Sequence, residues 1–216
     1  MGEGIHTIKS VPKTDRSYLR DTDSGMNRQE TFRVNQLESK IRNRKTEKGY
    51  IVGANGEIIA ESIKSTKNAA RFYTRDLERS KDAILTHNHP NADMGGTMAA
   101  RIGLPFSDQD VRNAIRFDQK EVRAVTPNYT YSIRRPKGGW GDEAQKQKLY
   151  RALDDWNRRR IMNYNAYKYS PARLGTKTFQ EKLETFDRGN VGGQWSAWKK
   201  FMKETGLTVT RRKVSK

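Results

Sequence analysis

The sequence predicts an α/β fold, a sheet with flanking helices, joined to a basic and mostly helical C-terminal extension. Three observations carry this prediction. Short apolar runs of strand length alternate with segments of helical period through the middle of the chain. Asn55-Gly56 lies between two such runs, where a tight hairpin turn belongs. Beyond Gly138-Gly139 the strand signals give way to apolar residues at helical spacing, in a stretch rich in Lys and Arg.

Residues 1–26 have no apolar period and scatter Gly, Ser, Pro and Asp, as a flexible arm does. From Asn27 to Lys45, Phe32, Val34, Leu37 and Ile41 recur near helical spacing and predict one amphipathic helix. Tyr50-Ile51-Val52 and Ile58-Ile59 flank Asn55-Gly56, whose positive φ angles suit a β-hairpin. Residues 68–80 are expected to be helical, with Ala69, Ala70, Phe72, Tyr73 and Leu77 partly buried. Ala83-Ile84-Leu85 predicts a buried strand. Ser107 to Asp118 predicts a helix with Val111, Ala114 and Ile115 on one face. Strands near 121–126 and 129–134 follow, separated by a Pro127-Asn128 turn. In the extension, Leu149, Leu153 and Trp156 form one helical stripe and Phe179, Leu183 and Phe186 a second. Trp195, Trp198 and Phe201/Met202 form a third, with Gly206 suited to a helix C-terminus. These aromatics read as packing residues, set against the central module or a partner. The division expected is an arm at 1–26, a module at 27–136 and an extension at 137–216.

At 216 residues with 33% hydrophobic content and a mean hydropathy of -1.01, the chain supports one compact core and long polar extensions. The absence of cysteine excludes disulfides and thiolate metal sites, so any metal must rest on His and carboxylate ligands. No apolar run approaches the ~20 residues of a membrane span, and the N-terminus lacks a signal-peptide core. The expectation is a soluble, cytoplasmic protein. The net charge of +18 is unevenly spread. Residues 47–133 hold 12 Lys and Arg against 11 Asp and Glu, whereas residues 134–216 hold 21 against 8, a net +13. Such a tail attracts polyanions, nucleic acid first among them. A docking face for an acidic protein, or a solvated helical surface, would have the same composition.

The chemistry concentrates in Thr86-His87-Asn88-His89-Pro90 and Ser107-Asp108-Gln109-Asp110. Side chains alternate along a strand, so His87 and His89 project to one side and Asn88 to the other. Two imidazoles so placed suit one zinc ion at ~2.0–2.1 Å. Pro90 then ends the strand, because it has no amide to donate to the ladder. Asp110, in the first turn of the following helix, is a suitable oxygen ligand. Ser107-x-x-Asp110 is also an ordinary helix N-cap pattern, so by itself it reads as a cap.

Together, His-x-His-Pro and Ser-x-x-Asp resemble the signature of the JAB/MPN family, whose active members are the JAMM zinc metallopeptidases. The resemblance covers roughly residues 27–134 and extends to Glu47-Lys48-Gly49-Tyr50-Ile51-Val52-Gly53 and Tyr129-Thr130-Tyr131-Ser132-Ile133. It is similar to bacteriophage and mobile-element versions, and the Asn between the histidines is shared with RadC-type relatives. The resemblance implies a JAB/MPN-like sheet with flanking helices and one Zn2+ per chain on His87, His89 and Asp110. It implies Ser107 as oxyanion donor and a glutamate on an earlier strand as general base towards the attacking water. Glu47 is the choice for that base, with Glu57 and Glu61 as competitors. The chain departs from the pattern at residues 91–106, a longer link between Pro90 and Ser107 than the family carries. That insertion reads as a substrate-gripping lid or a surface elaboration.

The activity implied is hydrolysis of an amide bond in a peptide or protein substrate by a peptidase or isopeptidase of phage or mobile-element origin, in a bacterial or infected host cell or with the virion. Two rivals accompany it. One is a catalytically silent JAB/MPN scaffold. The other is a RadC-like protein whose basic tail, residues 134–216, binds nucleic acid or virion components.

Overall fold

The computed structural model describes residues 25–66, 69–90, 106–168 and 196–214. α1 (Arg28–Ile41) begins at a reciprocal cap: Asn27 Oδ1 accepts from the Glu30 amide at 2.9 Å, and Glu30 Oε2 accepts from the Asn27 amide at 2.7 Å. Val34, Leu37 and Ile41 are buried as the spacing predicts, and Phe32 is half-buried. The helix stops at Ile41, short of the Lys45 expected. The Arg44 and Thr46 carbonyls are instead engaged by the Asn88 side chain, at 3.4 and 3.2 Å.

β1 (Gly49–Val52) and β2 (Ile58–Glu61) form the expected hairpin. Only the glycine of Asn55-Gly56 adopts a positive φ, +74°. The Gly56 amide closes onto the Gly53 carbonyl at 3.0 Å, and the register shifts between Ile51 and Val52. The connection is therefore a longer turn with a bulge rather than a two-residue loop. A Cβ at Gly56 would stand 2.8 Å from the Gln29 carbonyl oxygen.

The helix expected over 68–80 is corrected. A short ribbon of β3 (Lys64–Ser65) and β4 (Ala70–Arg71) takes its first half, and only α2 (Thr74–Glu78) is helical. Apolar spacing over so short a stretch does not separate a ribbon from a helix, and the pairing of Lys64 with Arg71 decides it. Tyr73, expected to be partly buried, is exposed.

β5 (Ile84–Asn88), α3 (Asp108–Arg116), β6 (Glu121–Val125) and β7 (Tyr129–Arg134) follow in the predicted order. Then come α4 (Glu143–Lys168), α5 over residues 196–205, and β8 (Val209–Lys213). The six-stranded sheet runs β2-β1-β5-β6-β7-β8; β5 and β6 pair parallel, and every other neighbouring pair is antiparallel. The fold is thus α/β, a mixed sheet flanked by helices.

Alternation divides the two faces of the sheet. Val52 and Ile84 pack on Val34 and Leu37 of α1. Ile51, Leu85, Val122, Ala124, Tyr131 and Ile133 face the other way, into a core shared with α3, α4 and α5. The extension, expected to be mostly helical, also contributes a strand: β8 is the sixth of the sheet, paired to β7 with Ile133 opposite Val209. Leu149, Leu153, Trp156, Trp198 and Phe201 lie in the same core as Val111 and Ile115, so these aromatics pack against the central sheet. α5 ends at Gly206, whose amide bonds the Met202 carbonyl at 2.9 Å. Phe179, Leu183, Phe186 and Trp195 lie outside the described residues, as do residues 91–105 of the insertion and 1–24 of the arm. Among the described residues no helix is long and apolar enough to cross a membrane.

Candidate metal centre

The site forms where β5 leaves the sheet beneath the start of α3. Odd-numbered residues of β5 face α3, so Leu85 and His87 point to that side, and His89 continues the alternation just past the strand. Gly49 pairs directly with His87. A Cβ at Gly49 would lie 3.2 Å from His87 Cβ and 2.9 Å from the Phe72 ring. Glycine at this point lets the ring and the imidazole close over the strand.

The α3 end is set by a cap. Ser107 Oγ accepts from the Asp110 amide at 3.2 Å, while Asp110 Oδ2 accepts from the Ser107 amide at 2.8 Å and from its hydroxyl at 2.7 Å. The cap reading of Ser107-x-x-Asp110 therefore holds, and the same geometry aims the carboxylate at the histidines. His87 Nε2 and His89 Nε2 are 2.9 Å apart, and Asp110 Oδ2 lies 3.5 Å from the first and 4.0 Å from the second. One ligand atom from each residue falls within 4.8 Å of the others.

These three side chains fit a metal ion. Ligand atoms around a tetrahedral zinc stand about 3.3 Å apart, so separations of 2.9, 3.5 and 4.0 Å need shifts below about 1 Å, the largest between His89 and Asp110. Burial disfavours a charged His87, yet Asp110, with help from Glu47, raises its pKa. Burial likewise opposes ionisation of Asp110, and His87 and His89 outweigh it and hold the carboxyl well below the usual range. Without a metal the cluster is a His–Asp ion pair, and a cation bound there would displace the imidazole proton.

Glu47 shares the pocket, a cavity of about 380 Å³ that also takes in Ser107, Asp110 and both histidines. Burial pushes its carboxyl up to about 7; His87 opposes the shift, Asp110 adds to it, and the Ala70 backbone amide donates to the carboxylate and opposes it. The competitors stand elsewhere. Glu57 accepts from the Asn55 amide at 2.9 Å in the hairpin turn, and Glu61 pairs with Lys48. All five residues singled out from sequence are thus brought together, and neither alternative glutamate lines the pocket.

Asn88 was legible only as a side chain pointing away. It is fully buried, and it anchors the segment that carries Glu47. Its Oδ1 accepts from the Lys48 amide at 2.7 Å, and its Nδ2 faces the Thr46 and Arg44 carbonyls. Alternation gave the direction of Asn88, but its partners lie 40 to 44 positions away in sequence. Asn88→Ala is expected to cost ~1–3 kcal/mol in urea unfolding. It should also speed hydrogen exchange at the Lys48 amide while zinc stoichiometry stays at the wild-type value. An unchanged Lys48 exchange rate would remove the anchoring role.

Phe72, Gln109 and Asn113 also line the pocket and carried no site signal in the sequence. No protein-family model, no curated protein and no solved structure matches the chain.

Proposed function

We propose that this chain is a JAMM-type zinc metallopeptidase module of the JAB/MPN kind, hydrolysing an amide bond in a peptide or protein substrate. The observation that carries the reading is the convergence of His87, His89, Asp110, Ser107 and Glu47 on one pocket. A zinc ion held there would supply Lewis acidity, polarising a carbonyl and acidifying water towards neutral pH. His87, His89 and Asp110 would hold it. Glu47, whose carboxyl faces the same pocket, takes the proton from water as its oxygen bonds to the carbonyl carbon. It then delivers that proton to the nitrogen as the carbon–nitrogen bond breaks. Ser107 now donates its hydroxyl to Asp110 and must turn from it to serve the oxyanion.

Glu47→Gln separates binding from chemistry. The zinc-loaded variant should keep wild-type stoichiometry and cleave a substrate found in a fluorogenic peptide and isopeptide library ~10²–10⁴-fold more slowly. Wild-type rates would displace Glu47 from its role. No cleavage by the wild type anywhere in the library would leave the silent scaffold.

The basic tail supports a second, separate proposal, contact with nucleic acid. The tail carries two dense basic clusters, Arg158-Arg159-Arg160 and Arg211-Arg212-Lys213. In the first, Arg158 pairs with Asp155 and Arg159 lies 3.3 Å from Glu204, so its charge is partly neutralised within the chain. Arg211, Arg212 and Lys213 stand exposed along the edge strand β8. Neutralising all three β8 cations should weaken binding to unrelated DNA and RNA sequences about equally and flatten the salt slope. Binding no better than that of a neutral control protein would leave an acidic protein as the tail's partner.

A further inference from the structure

Resting on the peptidase reading, we propose that the pocket selects its substrate by an uncharged, apolar side chain on the residue that supplies the scissile carbonyl. The wall for that side chain begins at the metal ligands. Phe72 sets its ring where a Cβ of Gly49 would be, directly opposite His87. Leu85 precedes His87 by two residues on the same face of β5, and Leu77 of α2 completes the surface. Leu85 is buried, while Phe72 and Leu77 are half-buried, packed on the core from beneath and lining the pocket above. Their backing is fixed, so an apolar group laid on them displaces water without rearranging the fold.

Charge narrows the alternatives. Among the described residues, the ionisable ones lining the pocket besides the histidines are Glu47, Asp110 and Arg71. The two carboxylates belong to the catalytic cluster, and the exposed Arg71 adjoins Phe72 at the edge of the wall. A Lys side chain laid on Phe72, Leu77 and Leu85 would lose its water beside a like charge. The α3 part of the lining adds a polar but neutral pair. Gln109 and Asn113 lie one turn apart on α3, with Gln109 Nε2 donating to Asn113 Oδ1 at 2.9 Å. That bond leaves Gln109 Oε1 as an acceptor and Asn113 Nδ2 as a donor, the complement of a peptide unit. Side-chain choice therefore falls to the apolar wall and backbone alignment to the amide pair. The acyl-side residue is the one placed to use that wall. Its Cβ is two bonds from the carbonyl carbon, whereas the leaving-side Cβ is three.

The test uses the full chain loaded with zinc and a series of hydroxamates, each joining a metal-binding group to one side chain, read by calorimetric titration. N-acetyl-leucine hydroxamate should bind ~10–100-fold more tightly than acetohydroxamate. The N-acetyl-glutamate and N-acetyl-lysine analogues should gain nothing over it. In Leu77→Ser the leucine advantage should shrink several-fold, while acetohydroxamate affinity and zinc content, which report an intact site, remain unchanged. Equal affinity across the series, or a preference for a charged analogue, overturns the apolar subsite and leaves the zinc site standing. Failure of every hydroxamate to bind, acetohydroxamate included, overturns the metallopeptidase reading and the subsite with it.

Discussion

Elemental analysis should find close to one zinc ion per wild-type chain and essentially none in His87→Ala. His87 is buried against β1, and its Nε2 is the atom nearest both other ligand atoms. Removing the ring leaves His89 and Asp110 4.0 Å apart with no third donor among the described groups. Two ligands do not make a stable zinc site in a chain without cysteine. Folding need not be lost, since the six-stranded sheet is held elsewhere, and circular dichroism should be retained. Zinc added to the metal-stripped wild type should raise its Tm, by the linkage between binding and folding, ~2.7 kcal/mol at a hundredfold excess over Kd. His87→Ala should show no such shift. A wild type that takes up no zinc even when it is supplied would end the site assignment.

The second large effect lies on the opposite face of the sheet. Arg123 is buried between two carboxylates: its Nε donates to Glu38 Oε1 at 2.6 Å and its Nη1 to Glu121 Oε1 at 2.7 Å. Thr86 Oγ1 donates to the same Glu38 oxygen at 3.0 Å, so the network ties α1 to β5 and β6. Arg123→Ala removes the guanidinium nearest both buried acids, leaving Glu38 only Arg42 at 3.7 Å and Glu121 only Arg134 at 3.5 Å as cationic neighbours among the described residues. It should cost ~3–5 kcal/mol in denaturant unfolding. The matching fall in Tm is ~6–20 °C for a chain of this size. Replacing Glu38 and Glu121 by Gln in the same background should recover part of the loss, because the penalty is chiefly that of unpaired charge.

The pH dependence has a definite sign. Burial alone would raise Glu38, but Arg123 outweighs it and holds the carboxyl below its ordinary value. On acidification the unfolded chain takes this proton first. Its stabilisation is thus complete above the ordinary value of 4.5 and is lost as pH falls through the depressed folded value. Glu121 runs the other way, raised by burial that Arg123 only partly offsets, so its contribution weakens as pH rises through its folded value. The deficit of Arg123→Ala should be widest at neutral pH and narrow in acid, where Glu38 takes a proton and no longer leaves a buried charge. A deficit independent of pH would mean that lost packing, rather than stranded charge, destabilises the variant.

Local chemistry was readable from the chain alone wherever periodicity or a cap decides structure. Alternation put His87 and His89 on one side of β5, Ser107 opened α3 three residues before Asp110, and Asn55-Gly56 marked the hairpin. The spacing of Val111, Ala114 and Ile115 gave the buried face of α3, because a helix repeats every 3.6 residues whatever surrounds it. What lay out of reach depends on partners distant in sequence. Residues 70–71 pair as a ribbon because Lys64 and Ser65 lie beside them. Residues 209–213 read as the end of a basic tail, yet they complete the sheet because β7 offers an open edge there. Arg123 carries no signal in the sequence, and its partner Glu38 reaches it from α1, 85 positions away. Which of Glu47, Glu57 and Glu61 lines the pocket was likewise out of reach: the fold turns Glu47 into it and leaves the other two on the hairpin. Sequence determined which side chains face the same way within one element, since backbone geometry sets that locally. Only the tertiary structure decided which elements meet, since that is set by burial and charge pairing summed over the whole chain.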